Sequence, residues 1–107
     1  MAPTGPTKGD RLVERWGSWV RKIEDHPVDQ YEYLCALEDR DAVETWLQTS
    51  GDQVAMDAVA EIDALFERVT CEDDRFANRF IVHSGTGWWW KRLPSSPEAQ
   101  QYIVHEW

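Results

Sequence analysis

Apolar positions follow a helical period from the first turn of the chain to about Thr70, and then the period changes. Leu12, Trp16, Trp19 and Ile23 recur three or four apart, with Val13 and Val20 widening the stripe. That spacing turns one helical face toward a core. Asp10 is a good N-cap for it, so a helix is predicted from about Asp10. Residues 1–9 read as a flexible arm, with Pro3, Gly5, Pro6 and Gly9 and little to bury. Pro27 limits this helix, because the residue before a proline avoids the helical region, and it suits the first turn of a second helix. Tyr31, Leu34, Cys35 and Leu37 are that helix's apolar positions. From Asp39 to about Thr49 the pattern continues with Val43, Trp46 and Leu47. Asp41 followed by Glu44 has the form of a capping box, which favours a break near 38–41. Ser50-Gly51 ends the segment. Asp52 then caps the longest helix, whose stripe runs through Val54, Ala55, Ala58, Val59, Ile62, Leu65, Phe66 and Val69.

Past Thr70 the run Arg79-Phe80-Ile81-Val82-His83 is β-branched and aromatic, and Trp88-Trp89-Trp90-Lys91-Arg92 follows a Gly-rich link. Two such runs predict a β-hairpin, stopped by Pro94. Ser96-Pro97-Glu98 supplies an N-cap, a proline at the first helical position and an acid in the first turn. A final helix to about Glu106 should bury Tyr102, Ile103 and Trp107. The expected fold class is α+β, mostly α: three to four packed helices with a C-terminal β-hairpin and a short final helix. One globular domain is expected over 10–107, in keeping with the size of single domains.

Composition changes this picture little. A net charge of −9 leans toward disorder, but seven Trp, three Tyr and three Phe weigh harder against it. Cys35 and Cys71 lie far apart with no zinc spacing and read as reduced core residues. The N-terminus lacks the apolar core of a signal peptide. No stretch approaches the roughly 18 apolar residues of a membrane span. A soluble, cytoplasmic protein without membrane contact is expected.

Charge placement says more. From Asp25 to Asp74 fifteen carboxylates face only Arg40 and Arg68, while the flanking segments are net positive. On the long helix Asp57 and Glu61 are four apart, as are Asp63 and Glu67. Like charges at that spacing cost a few tenths of a kcal/mol per pair, roughly. The block serves either as a solvated face or as a negative surface for a basic or nucleic-acid-handling protein partner, whose encounter it would steer. Nucleic acid as the main ligand is disfavoured, since this charge repels phosphate.

In a strand, Trp88 and Trp90 would share one face and Trp89 the other. A hairpin lying on helices has one covered face, so at least one ring is expected in solvent unless the last helix covers it. Trp and Arg are common interface anchors, and Lys91 and Arg92 adjoin the rings. A stacking site for a planar ligand is a further possibility.

Catalytic signals are thin. Glu38, Asp41 and Glu44, spaced by three, could with Asp63 or Glu67 offer oxygen ligands to Mg²⁺. His26, His83 and His105 form no HExxH, and there is no phosphate-binding or dinucleotide motif. The expected role is a small acidic non-catalytic protein-binding protein, of accessory, inhibitor or antitoxin/immunity type, needing no cofactor. Trp88, Trp89, Trp90, Lys91 and Arg92 would anchor the partner, and Asp57, Glu61, Asp63 and Glu67 would steer it. One alternative is a metal-dependent hydrolase of small phosphorylated substrates using Glu38, Asp41 and Glu44. Another is a structural subunit whose hairpin completes a neighbour's sheet.

Overall fold

A computed structural model describes residues 8–79 and 87–104. In chain order it contains α1 (Lys8–Asp25), α2 (Gln30–Ser50), α3 (Gln53–Val69), β1 (Thr70–Glu72), α4 (Arg75–Arg79), a 3-10 turn (Trp88–Lys91), β2 (Arg92–Pro94) and α5 (Pro97–Val104). The class is the expected one: α+β, mostly helical, with a two-stranded antiparallel sheet near the C-terminus and a short final helix.

Local chemistry sets most of the helix ends. α2 starts three residues after Pro27, at Gln30, with Asp29 as its N-cap. The Glu32 N–H donates to Asp29 at 2.8 Å and the Asp29 N–H donates to Glu32 at 3.1 Å. This reciprocal pair is the capping box; Pro27 itself lies in the link before it. Gly51 closes α2 in the left-handed region at φ 64°, its N–H donating to the Leu47 carbonyl. Glycine takes that conformation without a Cβ penalty. Asp52 caps α3 by accepting the Ala55 N–H at 3.2 Å, as expected.

α2 differs from expectation. It runs unbroken through 38–41, so Asp41 caps nothing. Its carboxylate is engaged elsewhere, and the helix has no reason to stop.

α1 lies against both α2 and α3, while α2 and α3 approach each other little. Large rings fill the space between them. Trp16 is fully buried with its ring 5.1 Å from that of Phe66, and Trp88 stands 6.0 Å from Phe66 on the other side. A second aromatic group ties the C-terminal elements to α2: Tyr33 meets Phe76 edge-on at 4.9 Å, and Phe76 stacks on Trp90 at 6.2 Å. The Tyr33 hydroxyl donates to the Arg92 carbonyl at 2.7 Å, and burial pushes its phenol well above the ordinary value.

The sheet is not where the β-like runs suggested. Thr70 pairs with Pro94, Cys71 with Leu93 and Glu72 with Arg92. The three tryptophans form the 3-10 turn just before β2 instead of a strand. Arg79 ends α4, and the rest of the run to His83 lies outside the described residues. In α5, Ile103 is buried as expected, whereas Tyr102 is half exposed. Val54, placed in the α3 stripe, is 80% exposed. Cys35 and Cys71 are free but only partly buried, not core residues. No helix among the described residues is long and apolar enough to cross a membrane.

Candidate functional site

Three consecutive residues in the middle of α2, Asp39, Arg40 and Asp41, tie the helices together. Successive side chains on a helix point about 100° apart, so three neighbours can address three different elements. Asp39 faces α1, where it accepts the Trp19 indole N–H at 2.7 Å and pairs with Arg15, whose guanidinium pKa it raises. Arg40 faces α3. Its Nε and one terminal nitrogen donate to both oxygens of Asp63, at 3.0 and 2.9 Å, and the other terminal nitrogen donates to Glu44 at 3.1 Å. Asp41 faces the 3-10 turn, where one carboxylate oxygen accepts the indole N–H groups of Trp89 and Trp90 at 2.8 and 2.9 Å.

Arg40 is buried, and its guanidinium carbon lies 4.1 Å from the centre of the Trp89 ring. A buried cation needs a partner for its charge and for its N–H groups. The fork of Asp63, the carboxylate of Glu44 and the face of Trp89 supply both. Asp63 also accepts the Trp16 indole N–H at 2.9 Å. Four indoles therefore donate to aspartates, and Asp39, Asp41 and Asp63 belong to the internal framework.

Three of the acids left outside lie on α3. Its exposed side presents Asp57, Glu61 and Glu67 with Val54, Ala60 and Ala64, and Arg68 as the cation at its C-terminal end. Asp57 accepts only from Gln53 on the same helix. Carboxylates interleaved with small apolar residues, rather than with lysines, make a negative surface with low relief.

No family model matches the chain, and no curated protein or solved structure matches it either. The site must be judged on its own geometry.

Of the residues expected to contact a partner, Trp89 and Trp90 are buried, at 4% and 1% exposure, while Trp88 is 39% exposed. The aromatic surface is thus reduced to one ring. Trp88 borders a cleft of about 470 Å³ with Glu72, Asp73, Asp74, Lys91 and Arg92. Asp73 is paired with Arg75, which holds its carboxyl below the usual range. Arg92 is a structural residue: it donates to the Thr70 hydroxyl at 2.8 Å and to the Thr70 and Glu67 carbonyls at 3.0 and 3.1 Å. A cation there satisfies carbonyls at the end of α3 and complements the helix dipole. Lys91, Asp57, Glu61 and Glu67 are exposed as expected; Asp63 is turned inward on Arg40.

The carboxylates considered for a metal do not converge. Glu38, Asp41 and Glu44 share the unbroken α2, but Asp41 holds two indoles and Glu44 holds Arg40 and Gln48. Among the described residues no three potential ligands come together. His26 is exposed; His83 and His105 lie outside the described residues.

Sequence reasoning missed Asp39 and the pairing of Arg40 with Asp63. The signal was present: Arg40 is a solitary cation inside a long acidic run, flanked on both sides by aspartate. A lone arginine so placed can bury its charge within the fold using acids already at hand.

Proposed function

We propose that this chain is a non-catalytic protein-binding protein, an accessory or inhibitory factor, that docks through the exposed side of α3 on a partner with a basic surface. What supports this reading is the division of labour among the carboxylates. Asp39, Asp41 and Asp63 are committed to indoles and arginines, whereas Asp57, Glu61 and Glu67 remain on one helical face beside Val54, Ala60 and Ala64. Charges at positions 57 and 61 repel along the helix. That arrangement costs the isolated helix a little stability, and it offers a basic partner three carboxylates on one face. Opposite fields speed encounter, and salt screens them over about 8–10 Å near physiological ionic strength.

The test compares affinity capture from the native host by wild type and by the Asp57→Lys/Glu61→Lys double variant, at low salt and at two- to three-fold higher salt. A basic protein held by wild type at low salt, and released by both salt and charge reversal, supports the proposal. Capture indifferent to both overturns it.

A further inference from the structure

Resting on that reading, we infer that the partner's contact element is an amphipathic helix with lysines or arginines flanking its apolar stripe, and that it lies in the groove between α1 and the N-terminal half of α3. The groove holds about 380 Å³. Its lining combines small residues, Gly17, Ala55 and Ala58, with the larger apolar side chains of Val13, Val54 and Ile62. A Cβ built on Gly17 would come within 3.3 Å of Ile62 and 3.6 Å of the Arg21 guanidinium, so glycine there lets both side chains lie close against α1. Val54 is 80% exposed, an apolar wall with no cover from the chain's described residues.

The rim selects the occupant. Asp10, Glu14, Asp52 and Glu61 stand around the apolar strip, against the single cation Arg21. An acidic peptide would be repelled. A purely apolar one would desolvate the exposed carboxylates of Glu14 and Glu61. A helix with one apolar stripe and basic flanks satisfies both parts, in the helix-in-groove manner. From Asp52 to Ile62 the α3 wall rises about 15 Å, at about 1.5 Å per residue, which matches roughly three turns of an occupying helix. Glu61 belongs both to this rim and to the exposed α3 face.

The experiment uses a fluorescein-labelled amphipathic peptide of leucine and lysine, and a scrambled peptide of equal charge, read by fluorescence anisotropy with the full chain. Methyl shifts of Val13, Val54 and Ile62 are followed in parallel. The amphipathic peptide is expected to bind at least fivefold more tightly than the scrambled one. Val54→Ser is expected to cost about fivefold or more in affinity; this residue is exposed, so the fold should survive, as circular dichroism would verify. Glu61→Lys should weaken binding more than Glu67→Lys, which makes the same charge change outside the groove. If both peptides bind equally, Val54→Ser is silent and the two charge reversals act alike, the groove is not the site, although a basic partner still is. If neither peptide binds while the capture described above remains salt- and charge-sensitive, the groove inference alone falls.

Discussion

Removing the Asp41 carboxylate is the sharpest test of how the tryptophans are held. One oxygen of Asp41 accepts two indole N–H groups, from Trp89 and Trp90, both buried. Hydrogen bonds to a charged acceptor contribute about 1.5–3 kcal/mol each, and neutral ones about 0.5–1.5. Asp41→Asn keeps an acceptor oxygen but loses the charge, so it should cost about 2–3 kcal/mol over the two bonds. Asp41→Ala leaves both donors unmatched, at about 1–3 kcal/mol each. The better helix propensity of alanine returns at most about 0.7 kcal/mol. The expected net loss is therefore about 1–5 kcal/mol, against the roughly 5–15 kcal/mol typical of a domain. Glu38→Ala, one turn away and exposed, should stay within about 0.5 kcal/mol. Urea unfolding followed by tryptophan fluorescence and by far-ultraviolet circular dichroism measures all three. The order Ala, then Asn, then Glu38→Ala is expected, and the alanine variant should lose its near-ultraviolet tryptophan bands first. If Asp41→Ala proves no worse than Glu38→Ala, the indoles are not anchored by this carboxylate and the account of the core is wrong.

Other consequences are equally open to measurement. Arg92→Met should cost about 1–3 kcal/mol, because the Thr70 and Glu67 carbonyls lose their donor, and Arg92→Lys should restore only part of it; full rescue by lysine in chemical denaturation would contradict the forked geometry. Gly87→Ala puts a methyl 2.2 Å from the Trp89 ring, and overpacking of that kind typically costs about 1–3 kcal/mol; an unchanged melting temperature would show that the ring has room to move. Lys22 and the capping box hold the Glu32 carboxyl below its usual range, and Arg75 does the same for Asp73. Groups with depressed folded pKa values stabilise fully above the ordinary carboxylate range of about 4 and lose that contribution as pH falls through their folded values. The Glu32→Gln/Asp73→Asn double variant should therefore lose less stability than wild type between about pH 5 and pH 2.5, and parallel curves from pH-dependent urea titrations would refute this.

Local signals made much of the helical frame legible. The apolar period placed α1, α3 and α5, while Gly51, Asp52 and Ser96 marked their turns and caps because capping is decided within a few residues. The failures are places where a distant group decides. Asp41 and Glu44 have the spacing of a capping box, but two indoles and Arg40 claim them, and α2 continues. The tryptophan run is strand-like in composition. In a strand, however, Trp89 and Trp90 would point to opposite faces and could not share one oxygen of Asp41. A 3-10 turn brings them to the same acceptor, so tertiary bonding overrides propensity. Asp57, Glu61 and Glu67 lie off the apolar stripe of α3 and are exposed. Asp63 is turned inward instead, and nothing local distinguishes an acid facing solvent from one facing a buried arginine.

The abundance of tryptophan and the abundance of acid in this chain are linked. An indole nitrogen is a donor only, so each ring brought into the core needs an acceptor there. Backbone carbonyls inside helices are already engaged, and carboxylates on neighbouring helices are the remaining strong acceptors. Asp39, Asp41 and Asp63 meet that need for Trp16, Trp19, Trp89 and Trp90. Their number then requires a cation in the interior, which Arg40 provides at the point where α2 faces α3. Once those acids are assigned, the exposed acids that remain include Asp57, Glu61 and Glu67 on one side of α3 and Asp10, Glu14 and Asp52 beside the groove. Substituting the internal acids should change stability with little effect on encounter with a basic partner. Substituting Asp57 or Glu61 should do the reverse, and that separation is what a docking surface, as distinct from a merely soluble one, requires.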